Sequence, residues 1–428
     1  MTIVIGDNHG PRPDDLSMSP LRFLACIVAV LLAACARMPP QRAGDPTPPL
    51  LLVSIDGFRA DYLGRGLTPT LDGLAADGVR AEYLRPSFPS LTFPNHYTLV
   101  TGLRPDRNGI IANTMEDERI PNERFSSANR AAIENARWWD EATPLWTTVQ
   151  RAGGRAATMF WPGSEAPVHG RHPDYWVRYD RDIADDARVD AVLGWLDLPT
   201  RERPSLVTLY FDRVDVQGHH FGPDSNEVDD ALRSIDNALA RLLAGIDRRG
   251  LRDSLNLVVV SDHGMTATSP ERVVFLDEIV PKEWMHVVMW GVLTGISPAP
   301  EHRDEVERLL LAPHAHMQCH RRGAMPARFD YGSNRRIPPI LCLARSGWVI
   351  SDHASFERKK RFSLGEHGYD IDDVEMRAIF VARGPAFRTS LVIPPFDNVD
   401  VYPLLAHLLG ITAEPNDGDL ARVRAALR

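Results

Sequence analysis

Residues 49–57 read Pro49-Leu50-Leu51-Leu52-Val53-Ser54-Ile55-Asp56-Gly57. The apolar run shows no alternation, which predicts a strand buried on both faces, as in a parallel sheet, ending on an acidic turn. Three later stretches repeat the form. Residues 206–211 (LVTLYF) end near Asp212 and Asp215, residues 255–260 (LNLVVV) at Ser261-Asp262-His263-Gly264, and residues 378–382 (AIFVA) at Arg383-Gly384-Pro385. Helical patterns alternate with them: residues 68–78 have a Thr start and a Gly stop, and residues 144–153 and 227–246 have helical spacing. Strands alternating with helices predict an α/β fold, a doubly wound, mainly parallel sheet with helices on both faces. Ligands of such sheets bind beyond the carboxyl ends of the strands, and three of these four runs end in or near an aspartate.

The polar residues at those ends form a set. Asp56 follows the first run; Asp215 and His219 stand four apart; Asp262 and His263 are adjacent; His367 lies in Gly365-Glu366-His367-Gly368-Tyr369-Asp370. All sit in glycine-flanked segments that read as turns. Singly, an aspartate at a strand end is a cap or turn residue and a loop histidine is solvated. Together, three Asp and three His supply enough nitrogen and oxygen ligands for two divalent ions, zinc by preference, with manganese or iron as alternatives. Three protein ligands per ion also leave a position open for substrate. A hydroxyl lies nearby in Pro89-Ser90-Leu91-Thr92-Phe93-Pro94-Asn95-His96-Tyr97, where Pro94 fits the first position of a helix with Thr92 just before it. Thr92 alone would be a helix cap; beside a metal it becomes a candidate nucleophile.

Composition narrows the class. With 44% hydrophobic and 25% charged residues, the 428-residue chain is globular, and its length calls for a large domain with an insert or for two domains. Fifty-seven acids against 48 bases give a net charge of −9, which argues against duplex nucleic acid as partner. Residues about 280–350 break the strand–helix rhythm and read as an inserted cap subdomain. Their His314, His316 and His320 match no metal-site spacing and read as solvated loop histidines. Ser351-Asp352-His353 repeats Ser261-Asp262-His263 without the glycine and is left out of the ligand set.

The segments V-S-I-D-G-F-R, P-S-F-P-S-L-T-F-P-N-H-Y-T-L-V-T-G, F-W-P-G-S-E, V-D-V-Q-G-H-H-F-G-P, V-S-D-H-G-M, G-E-H-G-Y-D and F-D-N-V-D-V-Y-P-L-L-A-H-L-L-G-I resemble, in order from about residue 50 to 416, the nucleotide pyrophosphatase/phosphodiesterase family of the alkaline phosphatase superfamily. The resemblance implies one metal on Asp215, His219 and His367 and another on Asp56, Asp262 and His263, with the Thr92 oxygen completing it as nucleophile. It implies that Asn113 steadies a phosphoryl oxygen, and that Phe93 and Tyr210 sandwich a nucleotide base, with Tyr179 adding to that wall. The implied activity is hydrolysis of nucleotide phosphodiester or pyrophosphate bonds, releasing a nucleoside 5′-monophosphate.

Related chemistries fit less well. A sulfatase needs a Cys or Ser that is oxidised to an aldehyde, where this chain has Thr92. Monoesterases of the superfamily carry a Lys-x-Arg after a Ser in the middle region, where this chain has Ser164-Glu165. Its three lysines, Lys282, Lys359 and Lys360, lie near no motif, so a neutral or apolar pocket suited to a diester is expected. A phosphonoacetate hydrolase-like or phosphate monoesterase activity and a non-catalytic, metal-stabilised lipoprotein remain as alternatives.

The N-terminal segment bears on location. The apolar run FLACIVAVLLAA (residues 23–34), preceded by Arg22, is too short to span a bilayer and has the form of a secretory signal over residues 1–34, with Met1 or Met18 as its start. Leu32-Ala33-Ala34-Cys35 resembles a bacterial lipobox, which predicts a lipidated Cys35, a Pro-rich linker over 35–48, and a catalytic domain over 49–428. A lipid anchor there would be the only link to a membrane. The expected location is the periplasmic face of the outer membrane, favoured by Ala36, or otherwise the periplasm. Of four cysteines, Cys26 leaves with the signal and Cys35 takes the lipid. Cys319 and Cys342 remain as a disulfide pair in an oxidising compartment, or else as two separate buried thiols.

Overall fold

The computed structural model describes residues 48–358 and 360–428. The predicted signal, Cys35 and the linker up to residue 47 lie outside the described residues.

The opening run forms strand β1 (Leu50–Ile55). Helix α1 (Pro69–Asp77) follows, flanked by Thr68 and Gly78 as its caps, then β2 (Val79–Ala81) and α2 (Thr92–Thr101). Next come α3 (Leu145–Arg151), β3 (Ala156–Met159), β4 (Tyr175–Val177) and α4 (Asp185–Leu196). They lead to β5 (Leu206–Phe211), α5 (Arg213–Phe221), α6 (Asn226–Arg248) and β6 (Asn256–Val260). A separate antiparallel sheet is built from β7 (Met285–Met289), β8 (Leu293–Pro298), β9 (Met317–Arg321) and β10 (Ile340–Ala344). The chain then returns to the first sheet with β11 (Phe380–Arg383) and β12 (Leu391–Ile393) and continues into α7 (Val401–Leu408).

The large sheet has the order β12-β2-β11-β6-β1-β5-β3-β4. Strands β6, β1, β5, β3 and β4 run parallel. The fourth predicted run departs from that pattern: β11 is antiparallel to both its neighbours, β6 and β2. The reason is local. The chain reaches β11 from the carboxyl edge, a few residues after His367, so it enters the sheet in the opposite direction without a crossover.

Successive residues of β1 feed two cores, as the twofold repeat of a strand requires. Leu50 and Leu52 pack with residues of α2, α3 and α7 on one face. Leu51, Val53 and Ile55 pack with residues of α1, α4 and α6 on the other. Helix α6 shows how sequence makes this layer. Ser225 caps it by accepting from the Val228 N–H, and Val228, Leu232, Ile235, Leu239, Leu242 and Ile246 place one apolar stripe on the sheet.

The smaller sheet, ordered β7-β8-β10-β9, has its own apolar cluster around Ile296, Ile340 and Val306. Cys319 and Cys342 oppose each other on β9 and β10 and are joined as a disulfide. Of the three histidines expected to be solvated, His314 and His316 are engaged instead, and His320 is half-buried on β9. His314 donates to carbonyls at the end of the preceding helix, and His316 stacks on Trp348 at 3.5 Å. Among the described residues, no helix is long and apolar enough to cross a membrane.

Candidate active site

Because β6, β1 and β5 are parallel neighbours, their carboxyl ends share one edge. Asp56 follows β1, Asp262 and His263 follow β6, and Asp215 follows β5 by one turn of helix. Asp215 and His219 do not lie in a turn, as the sequence suggested, but on α5, where a spacing of four puts both side chains on one face. Gly57 makes this approach feasible. Its φ is +68°, and a Cβ there would lie 3.0 Å from both Cα and Cβ of Asp215.

Two clusters result, Asp215/His219/His367 and Asp56/Asp262/His263, with the ligand atoms of each within 4.8 Å of one another. His219 Nε2 and His367 Nε2 stand 3.5 and 3.6 Å from Asp215 Oδ1. His263 Nε2 stands 3.5 Å from Asp56 Oδ1 and 2.9 Å from Asp262 Oδ2. The rings of His263 and His367 stack at 3.6 Å, so the clusters adjoin. Each histidine is oriented from behind. His219 Nδ1–H donates to Gly365 O (2.7 Å), His367 Nδ1–H to Ser90 O (2.9 Å) and His263 Nδ1–H to Gly264 O (2.9 Å). A carbonyl only accepts, so in all three rings Nε2 is the nitrogen left available to a metal, the arrangement usual for metal-binding histidines.

The carboxylates carry the complementary sign. Asp56 Oδ1, Asp215 Oδ1 and Asp262 Oδ2 are buried and accept no hydrogen bond, a costly condition unless a cation occupies the space between them. Burial, with repulsion from Asp262 and Asp215, raises Asp56 well above the usual carboxylate range. Burial pushes Asp262 the same way, but His263 and His96 outweigh it and hold that carboxyl well below the range. Burial and the neighbouring imidazoles push His367 well down, toward the neutral form that a metal requires. The donor set, two oxygen–nitrogen clusters with orphan carboxylate oxygens, fits two divalent metal ions.

Thr92 Oγ1 lies 3.2 Å from His263 Nε2. Thr92 is the first residue of α2 rather than its cap, and Pro94 is the third rather than the first. That position is open to proline because the first four N–H groups of a helix have no intrahelical acceptor. The hydroxyl therefore caps nothing and points at the second cluster. Asn113 is brought alongside: its Oδ1 accepts from the Phe93 N–H at 3.0 Å, so the group it offers the cleft is Nδ2–H.

A cleft of about 410 Å³ opens above, lined by Asp56, Thr92, Phe93, Asn113, Tyr179, Tyr210, Asp215, His219 and His367. This size falls in the ~300–1,000 Å³ range usual for small-molecule sites. Tyr210 is 7% exposed, and its hydroxyl donates to Asp56 Oδ2 at 2.5 Å, so it supports a cluster ligand as well as lining the wall. Tyr179 donates to Asp212 Oδ2 at 2.6 Å. Asp212 is gripped in turn by the buried Arg188, which lies over the Phe160 ring.

The cleft is not the neutral pocket expected. Arg130, Glu165, Arg181 and Asp212 also line it. Glu165 ends the F-W-P-G-S-E motif, and Asp212 directly follows the apolar run 206–211. Arg130, Arg181 and Arg188 lie in segments with no motif. The Ser351-Asp352-His353 repeat takes no part: His353 pairs with Asp277 and Glu278.

Fold and site together define a class, an alkaline-phosphatase-like α/β enzyme with two carboxylate–imidazole clusters beside a threonine hydroxyl. The chain belongs to the type I phosphodiesterase / nucleotide pyrophosphatase family, whose model matches residues 50–370. It is 36% identical over 401 residues to human ectonucleotide pyrophosphatase/phosphodiesterase family member 5, covering 94% of this chain and 82% of that one. It is 35% identical over 402 residues to the bis(5′-adenosyl)-triphosphatase of Xenopus laevis, covering 94% and 86%. The solved structure of murine family member 5, in an inactive Thr-to-Ala form in complex with AMP, superposes with a TM-score of 0.85 at 35% identity, over 89% of this chain and 100% of that chain.

Proposed function

We propose that this protein hydrolyses phosphodiester or pyrophosphate bonds of nucleotides, releasing a nucleoside 5′-monophosphate, with Thr92 as nucleophile and two zinc ions as cofactors. The observation that carries this reading is the set of three orphaned carboxylate oxygens, in two clusters, beside the Thr92 hydroxyl in one cleft. Asp215, His219 and His367 would hold one ion, and Asp56, Asp262, His263 and Thr92 the other. When bound, such a pair supplies Lewis-acid stabilisation of charge on the attacking and leaving oxygens. Thr92 Oγ1 gives up its proton to solvent and bonds to phosphorus as the bond to the leaving oxygen breaks and that product departs; water then cleaves the phosphothreonyl diester, releasing the nucleoside 5′-monophosphate and restoring the Thr92 hydroxyl. Asn113 Nδ2–H steadies a non-bridging phosphoryl oxygen. Phe93, Tyr179 and Tyr210 offer aromatic surface to a base. The AMP held by the murine relative supports a nucleotide as ligand.

A monoesterase or phosphonoacetate hydrolase would need cationic or clamping groups around the second anionic oxygen. The two arginines that line the cleft already have partners there: Arg130 donates to Tyr179 O, and Arg181 reaches Asp212 at 3.6 Å. This favours the diester. The test compares initial rates of the zinc-loaded chain on a nucleotide-releasing diester and on a phosphate monoester. A large diester preference, abolished by EDTA and by Thr92→Ala, is expected; near-normal turnover by Thr92→Ala with both metals bound would overturn the nucleophile assignment.

We further propose that residues 1–34 direct export, that Cys35 carries lipid, that 35–48 tether a catalytic domain over 49–428, and that the sheet within about 280–350 is its inserted cap. The support for the anchor is the short apolar run before Leu32-Ala33-Ala34-Cys35. Cys35→Ala should move the protein from the outer-membrane fraction to the soluble periplasm.

A further inference from the structure

His96 is fully buried one helical turn after Thr92, and the mechanism above gives it no part. It occupies a junction. Nδ1 lies 2.9 Å from the carbonyl of Thr92 and 3.3 Å from Asp262 Oδ2. Nε2 lies 2.8 Å from Ser54 Oγ on β1. The Thr92 carbonyl only accepts, so Nδ1 carries a hydrogen, while Nε2 pairs with the Ser54 hydroxyl. The ring is boxed edge-on by Trp161 at 5.2 Å and Tyr210 at 5.1 Å, and Trp161 Nε1–H donates to the His96 carbonyl at 3.1 Å.

We propose that His96 is a positioning residue, which sets the distance between the Thr92 hydroxyl and the Asp56/Asp262/His263 cluster; this rests on the proposed roles of those residues. The carbonyl of Thr92 is the one an α-helix pairs with the His96 N–H, and the imidazole adds a second donor to it. The first turn of α2 is thereby pinned to β1 through Ser54, two residues before Asp56. The same N–H edge stands 3.3 Å from Asp262 Oδ2 without closing a hydrogen bond to it. A carboxylate oriented from behind and a hydroxyl held at fixed height are what an open metal position needs in order to be occupied productively.

The test uses three variants of the full chain: His96→Phe, His96→Asn and Ser54→Ala. Each is read for zinc affinity by competition with a chromogenic chelator, for kcat and KM on a nucleotide diester, and for thermal melting. His96→Phe should weaken zinc at the Asp56/Asp262/His263 cluster and lower kcat, each by about 10–100-fold, with KM within about twofold. His96→Asn keeps a donor near the Nδ1 position and should recover most of the loss. Ser54→Ala should show a smaller loss of the same kind, and it decides the matter if His96→Phe does not fold. Equal losses for Phe and Asn that track the melting temperature would mean a purely structural role and overturn the proposal, as would wild-type zinc affinity and kcat in all three. If the wild type binds zinc but cleaves no diester, the phosphodiesterase reading fails, while the zinc affinities still judge His96.

Discussion

Gly57→Ala tests whether backbone room at the end of β1 places Asp215. Two penalties add. The residue's φ of +68° lies in the left-handed region, which costs an L-residue roughly 1–2 kcal/mol. The new Cβ would also stand 3.0 Å from the Cα and Cβ of Asp215. Those atoms belong to the first turn of α5 and cannot swing away like a side-chain tip, so the helix must shift by a few tenths of an ångström, an overpacking cost of about 1–3 kcal/mol. Gly64 is the control. Its φ is +79°, yet an added Cβ there meets nothing within 4 Å, so Gly64→Ala carries the backbone term alone. Melting curves with and without zinc should show Gly64→Ala lower by about 2–4 °C and Gly57→Ala by about 4–10 °C, taking about 2 °C per kcal/mol. Because α5 also carries His219, Gly57→Ala alone should lose zinc affinity, and its kcat should drop about tenfold, since misplacements near 1 Å cost about 10²-fold. If the two variants melt together and both keep wild-type kcat, Gly57 does not set the approach of α5.

The wall of the cleft should separate binding from chemistry: Tyr179→Phe and Asp212→Asn remove opposite ends of one hydrogen bond, and each should raise KM about three- to tenfold with kcat little changed, as initial rates will show. Asp212 is held below the usual carboxylate range because the Tyr179 hydrogen bond and Arg188 outweigh its burial. Its folded pKa is thus depressed, so its stabilisation is present above about pH 4 and is lost as pH falls through the lower, folded value. The stability difference between wild type and Asp212→Asn should accordingly be flat from about pH 5 to 8 and shrink below about pH 4 in urea titrations. Cys319 and Cys342 are 23 residues apart, so Cys319→Ser with Cys342→Ser should lose about 3 kcal/mol by loop-closure entropy, read as a lower melting temperature at unchanged diesterase activity.

The metal-ligand candidates were legible because each is announced locally. An unalternating apolar run says buried strand, and an aspartate just past it marks the carboxyl edge, where a parallel sheet gathers its chemistry. Strand direction was less legible. Residues 378–382 have the same apolar look as β1, and only the path of the chain back from His367 makes β11 antiparallel. Gly218 misled in another way. It suggested a turn between Asp215 and His219, yet it sits within α5, where a Cβ would press on the Met265 side chain at 3.0 Å. Here glycine serves the close contact between two segments, which no local pattern records.

What sequence could not express is how the ligands are held. The carbonyl that orients His367 belongs to Ser90, 277 residues away, and the one that orients His219 belongs to Gly365, 146 away. The grip of Arg188 on Asp212, and of Asp212 on Tyr179, is equally remote from any motif. Tyr210 shows why this second layer matters to function. Read as aromatic surface for a base, it also ties its hydroxyl to Asp56 and lays its ring against His96. One side chain therefore links the wall of the cleft, a cluster ligand and the support beneath Thr92. Tyr210→Phe keeps the ring and removes only the tie to Asp56. It should leave KM nearly unchanged while weakening zinc at the Asp56 cluster, whereas a base-stacking role alone would leave zinc affinity untouched.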